Sequence, residues 1–253
     1  MSYPEFDREV VLVTGGSSGI GRATALAFAA QGARVVVASR RAEESAETVR
    51  LIEAAGGQAL FVQTDVTRSE DVQALVARTV SHFGSLKYAF NNAGIEGDAF
   101  VPVKDYSEDT FDRVIAINVR GVFLSMKYEL TQILERKGAI VNMASVAGLK
   151  GSRIGAAYVA SKHAVVGLTR AAALEYAEQG VRINAVAPAV IHTPMADRAF
   201  FQDEKIAARV KAMHPLGRIG QPEEVAQAVL WLCSDAASFT TGHTLPIDGG
   251  LLA

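Results

Sequence analysis

Tyr158 and Lys162 stand four residues apart in Tyr-Val-Ala-Ser-Lys, and Ser145 precedes the tyrosine by thirteen positions. A phenol, an ammonium and a hydroxyl at these spacings suit proton relay coupled to redox chemistry at an alcohol or carbonyl carbon. A phenol of pKa ~10 relays protons poorly at neutral pH, and an adjacent cation favours the phenolate. At about 4 Å and an effective dielectric of about 20, one unit charge contributes roughly 4 kcal/mol, or about three pKa units. The pair therefore predicts a tyrosine titrating near ~7, where general acid/base catalysis works best. Ser145 adds a hydroxyl for the substrate oxygen, whose charge changes during hydride transfer. A Tyr-x-x-x-Lys by itself is equally an amphipathic tyrosine beside a solvated lysine, so its surroundings have to decide.

Those surroundings are strands alternating with helices. The alanine content and the apolar set Val159, Val165, Val166, Leu168, Ala172 and Leu174 predict a helix from Ala156 to Glu178, on which residues i and i+4 share a face. Val10 to Thr14 reads as a strand. It runs into Gly15, Gly19 and Gly21, after which Ala23, Leu26, Ala27 and Phe28 recur at helical spacing. Glycines at such a turn permit positive φ and let a pyrophosphate approach the backbone, where the helix N-terminus offers N–H groups and a positive dipole end. The spacing is G-x-x-x-G-x-G rather than G-x-G-x-x-G. Further strands are expected near Arg34 to Ala38, Leu60 to Gln63, Tyr88 to Asn91, Ala139 to Met143, Ile183 to Ala187 and Thr244 to Ile247. This alternation implies right-handed crossovers and a mainly parallel sheet of about seven strands with helices on both faces. Ligands of such a sheet bind beyond the carboxyl ends of its strands, where Gly15, Asn91, Ser145 and Pro188 fall. No repeat or linker divides the chain, so residues 1–253 are expected to form one α/β domain, doubly wound and Rossmann-like.

At this point the sequence resembles the short-chain dehydrogenase/reductase family over nearly its whole length. Thr14-Gly15-Gly16-Ser17-Ser18-Gly19-Ile20-Gly21 is similar to the family's cofactor turn, Asp65-Val66 to its adenine contact, and Asn91-Asn92-Ala93-Gly94 to its fourth-strand motif. Asn118, Ser145, Tyr158 and Lys162 match its catalytic tetrad, and Pro188, Ile191 and Thr193 its nicotinamide-side segment. The resemblance implies strand order 3-2-1-4-5-6-7 and a general acid/base at Tyr158. It further implies that Ser145 polarises the substrate oxygen, that Lys162 binds the nicotinamide ribose and lowers the tyrosine pKa, and that Asn118 holds a water of the relay. A homotetramer built through the helices around Phe111 to Ile133 and Ala156 to Glu178 and through the C-terminal strand is also implied. Two positions depart from the pattern: Ala189 stands where many members have glycine, and Ala144 where a second serine often precedes the catalytic one. Plainer local readings also exist. Asn118 could be a mid-helix amide facing solvent, Asp65 a cap for a helix from Ser69 to Phe83, and Asn91-Asn92 a strand-ending turn.

Cofactor choice is expected at the end of the second strand. An NAD enzyme usually has a carboxylate about twenty residues after the glycine turn, for the ribose hydroxyls. Here Ser39-Arg40-Arg41 occupies that place. A guanidinium binds a 2′-phosphate through charge-assisted hydrogen bonds, whereas a carboxylate would repel it. NADP(H) is therefore expected, with Arg40 as the main contact and Ser39 or Ser17 assisting, and NAD(H) is the alternative.

The composition agrees with a globular enzyme: 49% hydrophobic and 21% charged residues, with 25 basic against 27 acidic side chains. A net charge of −2 gives no footprint for nucleic acid. No signal peptide or membrane-spanning run is evident, and the single Cys233 has no internal disulfide partner, so a cytoplasmic location is expected. The segment 190–217, with Met195, Phe200, Phe201, Met213 and His214, has no clear strand and is expected to be a substrate loop. It reads either as a lid over an apolar alcohol or ketone, or as a short helix pair whose Phe200, Phe201 and Met213 are core anchors. Neither His192 nor His214 has a second metal ligand at suitable spacing. Two other functions stay open: a 3-oxoacyl-carrier-protein reductase, for which Arg113, Arg120, Lys127, Arg136 and Lys137 would have to form a basic patch, and a non-catalytic cofactor-binding regulator.

Overall fold

A computed structural model describes residues 3–253. Seven parallel strands form one sheet: β1 (Val10–Thr14), β2 (Arg34–Ser39), β3 (Gln58–Gln63), β4 (Tyr88–Asn91), β5 (Ala139–Met143), β6 (Arg182–Pro188) and β7 (Thr244–Ile247). Their order is β3-β2-β1-β4-β5-β6-β7, as the sequence resemblance implies. The helices are α1 (Gly19–Ala29), α2 (Ala42–Ala54), α3 (Ser69–Phe83), α4 (Glu108–Ile115), α5 (Gly121–Arg136), α6 (Ala156–Tyr176), α7 (Pro194–Phe200), α8 (Glu204–Ala212) and α9 (Pro222–Cys233).

The β-branched run of β1 is buried at every position because both faces of the sheet are covered. Successive side chains point to opposite faces. Val11 and Val13 join Phe28 of α1, Ile52 of α2 and Val229 and Leu230 of α9 in one layer. Val10 and Leu12 join Leu75 of α3, Leu130 and Ile133 of α5 and Val165 of α6 in the other. Each fully buried aliphatic side chain contributes ~1.5–3 kcal/mol relative to exposure, so the two layers fix the sheet and hence its carboxyl edge.

Several boundaries differ from the sequence reading. The sixth helix ends at Tyr176 and not Glu178, because residues Ala177–Gln179 tighten into a 3₁₀ turn before Gly180 at φ 82. The helical pattern around Phe111 to Ile133 is interrupted by a π turn at Ala116–Arg120, where the Gly121 N–H reaches back to the Ala116 carbonyl. Apolar periodicity does not register one widened turn. Segment 190–217 holds α7 and α8, started by Thr193 and Asp203, whose side chains accept from Ala196 and from Lys205 and Ile206 N–H groups. Among the described residues no helix is long and apolar enough to cross a membrane.

Candidate active site

The turn after β1 is built for close approach. Gly15 and Gly19 have φ of 65 and 51, and a Cβ on Gly21 would lie 2.3 Å from the Gly15 carbonyl oxygen. Arg22 braces the turn from behind, donating to the Ser17 carbonyl (2.6 Å), the Glu44 carbonyl (2.9 Å) and Thr48 Oγ1 (3.0 Å). The β4 turn is tied to it: Thr14 Oγ1 accepts from the Asn92 and Ala93 N–H groups at 3.0 and 3.1 Å, and Asn92 Nδ2 donates to the Thr14 carbonyl at 3.0 Å. The N-terminus of α1 therefore opens, through a glycine cradle, on a cavity of about 1020 Å³ along the carboxyl edge of the sheet.

Of the expected cofactor residues, Gly15, Ser17, Ser18, Gly19, Ile20, Ser39, Arg40, Asp65, Val66, Asn92, Ala93, Gly94, Pro188, Ile191 and Thr193 line this cavity, while Gly21 packs beneath the turn. Asp65 does not cap α3, whose N-cap is Arg68. Its Oδ1 accepts from the Thr67 N–H (3.0 Å) and hydroxyl (2.8 Å). Burial raises the Asp65 pKa, but these bonds and the charges of Arg40 and Arg68 outweigh it and hold the carboxyl below its ordinary value. Arg40 Nη1 lies 3.9 Å from Asp65 Oδ2, and Ser39 Oγ is spent on Ser45 Oγ (2.8 Å) and the Arg41 N–H (3.0 Å). The guanidinium aimed into the glycine turn is that of Arg41, which donates to Ser17 Oγ and Ser18 Oγ at 2.7 Å each. The sequence reading named only Arg40; the second arginine of Ser-Arg-Arg was the available signal.

On the catalytic side, Tyr158 and Lys162 occupy the first two turns of α6, and Ser145 follows β5. The 3₁₀ turn after Ser145 presses against α6 so closely that a Cβ on Gly148 would lie 2.6 Å from the Lys162 carbonyl oxygen. All three side chains line the cavity. Ser145 hydrogen-bonds the phenol, accepts from the Ala147 N–H (3.1 Å) and donates to the Pro188 carbonyl (3.4 Å). Lys162, 3% exposed, donates to the Met143 carbonyl at 2.8 Å and sits 5.5 Å from the centre of the Tyr158 ring.

The expected phenol pKa near ~7 does not hold for the protein alone. Tyr158 is pushed up to about 12, because burial disfavours the phenolate and the Glu96 carboxylate adds to this, opposed only by the Ser145 bond. Burial also depresses Lys162 to about 8. The ammonium is not aimed at the phenol oxygen: it is turned to a backbone carbonyl and is itself desolvated.

Asn118, 1% exposed, is no solvent-facing amide. From the π turn its Oδ1 accepts from the Ile95 N–H (2.9 Å), and its Nδ2 donates to the Ile95 carbonyl (2.9 Å) and to Ser161 Oγ (3.0 Å). It clamps the loop after β4 to α6 and does not itself line the cavity. Ala189, at the position where glycine is common, is not among the residues at positive φ, so its Cβ costs no backbone strain.

The cavity is also lined by apolar side chains of the loop after β4 and of the α7–α8 segment: Phe100, Met195, Phe200, Ile206 and Met213. Phe200 and Met213 are not core anchors. Met213 is 52% exposed, and Phe200 meets Phe100 edge-on with centroids 5.9 Å apart. Arg198 joins the same two segments, donating to Glu96 Oε1 at 3.0 and 3.2 Å. Phe100, Glu96 and Arg198 are not marked in the sequence, since nothing in their spacing shows that the loop after β4 meets α7. His214 is buried against the Val210 carbonyl (2.8 Å), and no metal-holding group occurs among the described residues.

These features define an oxidoreductase with a dinucleotide site, and the chain belongs to the short-chain dehydrogenase/reductase family. The family model described as enoyl-(acyl carrier protein) reductase matches residues 15–252. Among individual proteins, the chain is 47% identical over 247 residues to 2,5-dichloro-2,5-cyclohexadiene-1,4-diol dehydrogenase of Sphingobium indicum, covering 97% of both chains. It is 48% identical over 246 residues to cyclohexanol dehydrogenase of an Acinetobacter species, covering 97% of this chain and 95% of that one. The crystal structure of levodione reductase superposes with a TM-score of 0.92 at 41% identity, covering 97% of this chain and 98% of that chain. The protein is thus an enzyme of the family acting on CH–OH groups, with a nicotinamide nucleotide as cofactor.

Proposed function

We propose that this enzyme interconverts an alicyclic secondary alcohol and its ketone with NADP(H), Tyr158 acting as general acid/base. The observation that carries the reading is the convergence of Ser145, Tyr158 and Lys162 on the same cavity as the paired guanidiniums of Arg40 and Arg41. Arg41 at the Ser17 and Ser18 hydroxyls and Arg40 beside it offer a charge-assisted site for a 2′-phosphate, and no carboxylate ends β2 to repel one. When bound, the nicotinamide supplies or accepts the hydride. In the reducing direction Ser145 Oγ hydrogen-bonds the carbonyl oxygen, and the Tyr158 hydroxyl donates its proton there as negative charge develops. A lysine that turns from the Met143 carbonyl toward the ribose and phenol lowers the phenol pKa in that complex, and Asn118 keeps the β4 loop against α6 throughout. The half-exposed apolar wall suits a ring of carbons bearing the reacting oxygen, in keeping with the cyclic diol and cyclohexanol named for two relatives.

Three coarser expectations belong to the same proposal: one catalytic domain over 1–253, a reducing cytoplasmic setting for the buried free Cys233, and a homotetramer covering the exposed Phe111 of α4 and Phe123 of α5. The carrier-protein reading has less support, because its basic side chains are dispersed. Arg136 is paired with Glu9, Arg120 is bonded to the Thr67 carbonyl and Lys127 lies over Tyr128. The test is kcat/KM with NADPH and NADH against cyclic and open-chain ketones. The reading expects NADPH with a cyclic ketone to be best; preference for NADH would remove the cofactor assignment, and preference for acyl thioesters the substrate assignment.

A further inference from the structure

Glu129 of α5 is 1% exposed, and no basic group pairs with it among the described residues. Its Oε2 accepts from Asn91 Nδ2 at 3.0 Å, while its Oε1 is buried without a hydrogen-bond partner. The other half of the same contact has the same defect, since Asn91 Oδ1 is also buried and unpartnered. The orientation of Asn91 is fixed from the far end of the network. Thr169 donates to the Val165 carbonyl (2.8 Å), Asn142 Nδ2 donates to Thr169 Oγ1 (3.0 Å), and Asn142 Oδ1 therefore takes its proton from Asn91 Nδ2 (3.0 Å). Both Asn91 amide protons are used, so its oxygen must look for a donor. A carboxylate has none to give.

We propose that Glu129 is held as a neutral carboxylic acid whose Oε1–H donates to Asn91 Oδ1, closing a two-bond acid–amide pair that positions Asn91 beside the cofactor-facing turn Asn92-Ala93-Gly94. One proton satisfies both orphaned atoms, whereas ionisation would leave an unpaired charge and two acceptors in the core. The pair links β4 and α5 and continues through Asn142 of β5 to Thr169 of α6, the helix that carries Tyr158 and Lys162. Burial pushes the carboxyl up to about 8, opposed only by the Asn91 bond. The charged groups of the packed elements do not change this. Glu70, Asp71, Arg78 and His82 of α3 contribute nothing to its titration, Tyr128 is bonded to Ser69, Tyr88 of β4 lies in the opposite core layer, β5 has no titratable group, and Lys162 of α6 is turned to Met143.

A raised carboxyl has the opposite linkage sign from a surface ion pair. Between the unfolded value of ~4.3 and the folded value the unfolded chain releases a proton that the folded chain keeps, so this contribution to stability is full at low pH and is lost as pH rises to about 8. Glu129→Gln replaces the acid by an amide that makes the same two bonds at every pH. The Tm of the wild type relative to Glu129→Gln is expected to fall by several degrees from pH 5.5 to 8.5; a difference that does not change with pH would overturn the proposal. Infrared difference spectra of the wild type need no variant. A protonated-carboxyl C=O band present at pH 6 and lost above pH 9 is expected, and its absence at pH 6 would overturn the proposal. The positioning role is read by nucleotide Kd, titrated separately with NADPH and NADH. Glu129→Ala should weaken the preferred nucleotide severalfold with kcat little changed, and Glu129→Gln should restore it; equal Kd values for the two variants would contradict positioning whichever nucleotide is preferred.

Discussion

Two walls line one cavity and are built on different terms. On the sheet side, Lys162 is almost wholly buried and the polar atoms of Thr14, Asn92, Asn118 and Ser145 have partners within about 3 Å. On the α7–α8 side, half-exposed apolar side chains line the cavity, and their segment's ties to the rest include an aromatic contact, Phe100 with Phe200, and an ion pair, Glu96 with Arg198. The first wall tolerates little change in residue type or position, because each atom is bonded or crowded. The second tolerates repacking, because apolar contact is non-directional and its strength follows area. Directional bonding and compliant apolar contact thereby occupy different parts of one cavity.

That separation can be broken from the rigid side first. Tyr158→Phe removes the proton donor and should lower kcat by about 10²–10⁴-fold, with nucleotide Kd nearly unchanged by fluorescence titration; a small loss would transfer the relay to another group. Lys162→Met comes next. Without the cation the phenol should keep the high pKa of about 12 that burial gives it. Alcohol oxidation needs the phenolate, so the rising alkaline limb of kcat/KM should move to higher pH in this variant, and an unmoved limb would remove Lys162 from pKa control.

Smaller effects map the edges of the comparison. Arg41→Ala deletes a guanidinium that holds two serine hydroxyls, and a lost charge-assisted bond of ~1.5–3 kcal/mol corresponds to about a 10- to 100-fold fall in kcat/KM for NADPH. Little change with NADH is expected, and Arg40→Ala should show a weaker version of the same pattern. The smallest change should come from the compliant wall. Phe200→Ala is expected to raise the KM for a cyclic ketone by about 3- to 10-fold at nearly constant kcat, since it removes apolar contact made equally in ground and transition states. A large fall in kcat would mean that this wall, too, positions the reacting atoms.

The same division governs what could be read from the sequence. Strand positions and the shared face of Tyr158 and Lys162 were legible, because parallel buried strands are apolar runs and helical spacing brings i and i+4 together, while strand order came through the family resemblance. The π turn that aims Asn118 inward was not, since one widened turn barely disturbs the apolar period. Arg41's reach into the glycine turn, the carbonyl that captures Lys162 and the pairing of Glu96 with Arg198 depend on segments distant in sequence meeting at the sheet edge, which no local pattern encodes.

The most direct test of the central claim follows the hydride and the proton together in one experiment. NADPH carrying deuterium at both C4 positions is mixed with excess enzyme and a cyclic ketone, and the product alcohol is weighed by mass spectrometry over a single turnover. One deuterium atom on the carbinol carbon, delivered as deuteride by the wild type and at least about 100-fold more slowly by Tyr158→Phe, is the predicted result. Unlabelled alcohol, or equal rates for the two proteins, would contradict hydride transfer coupled to Tyr158.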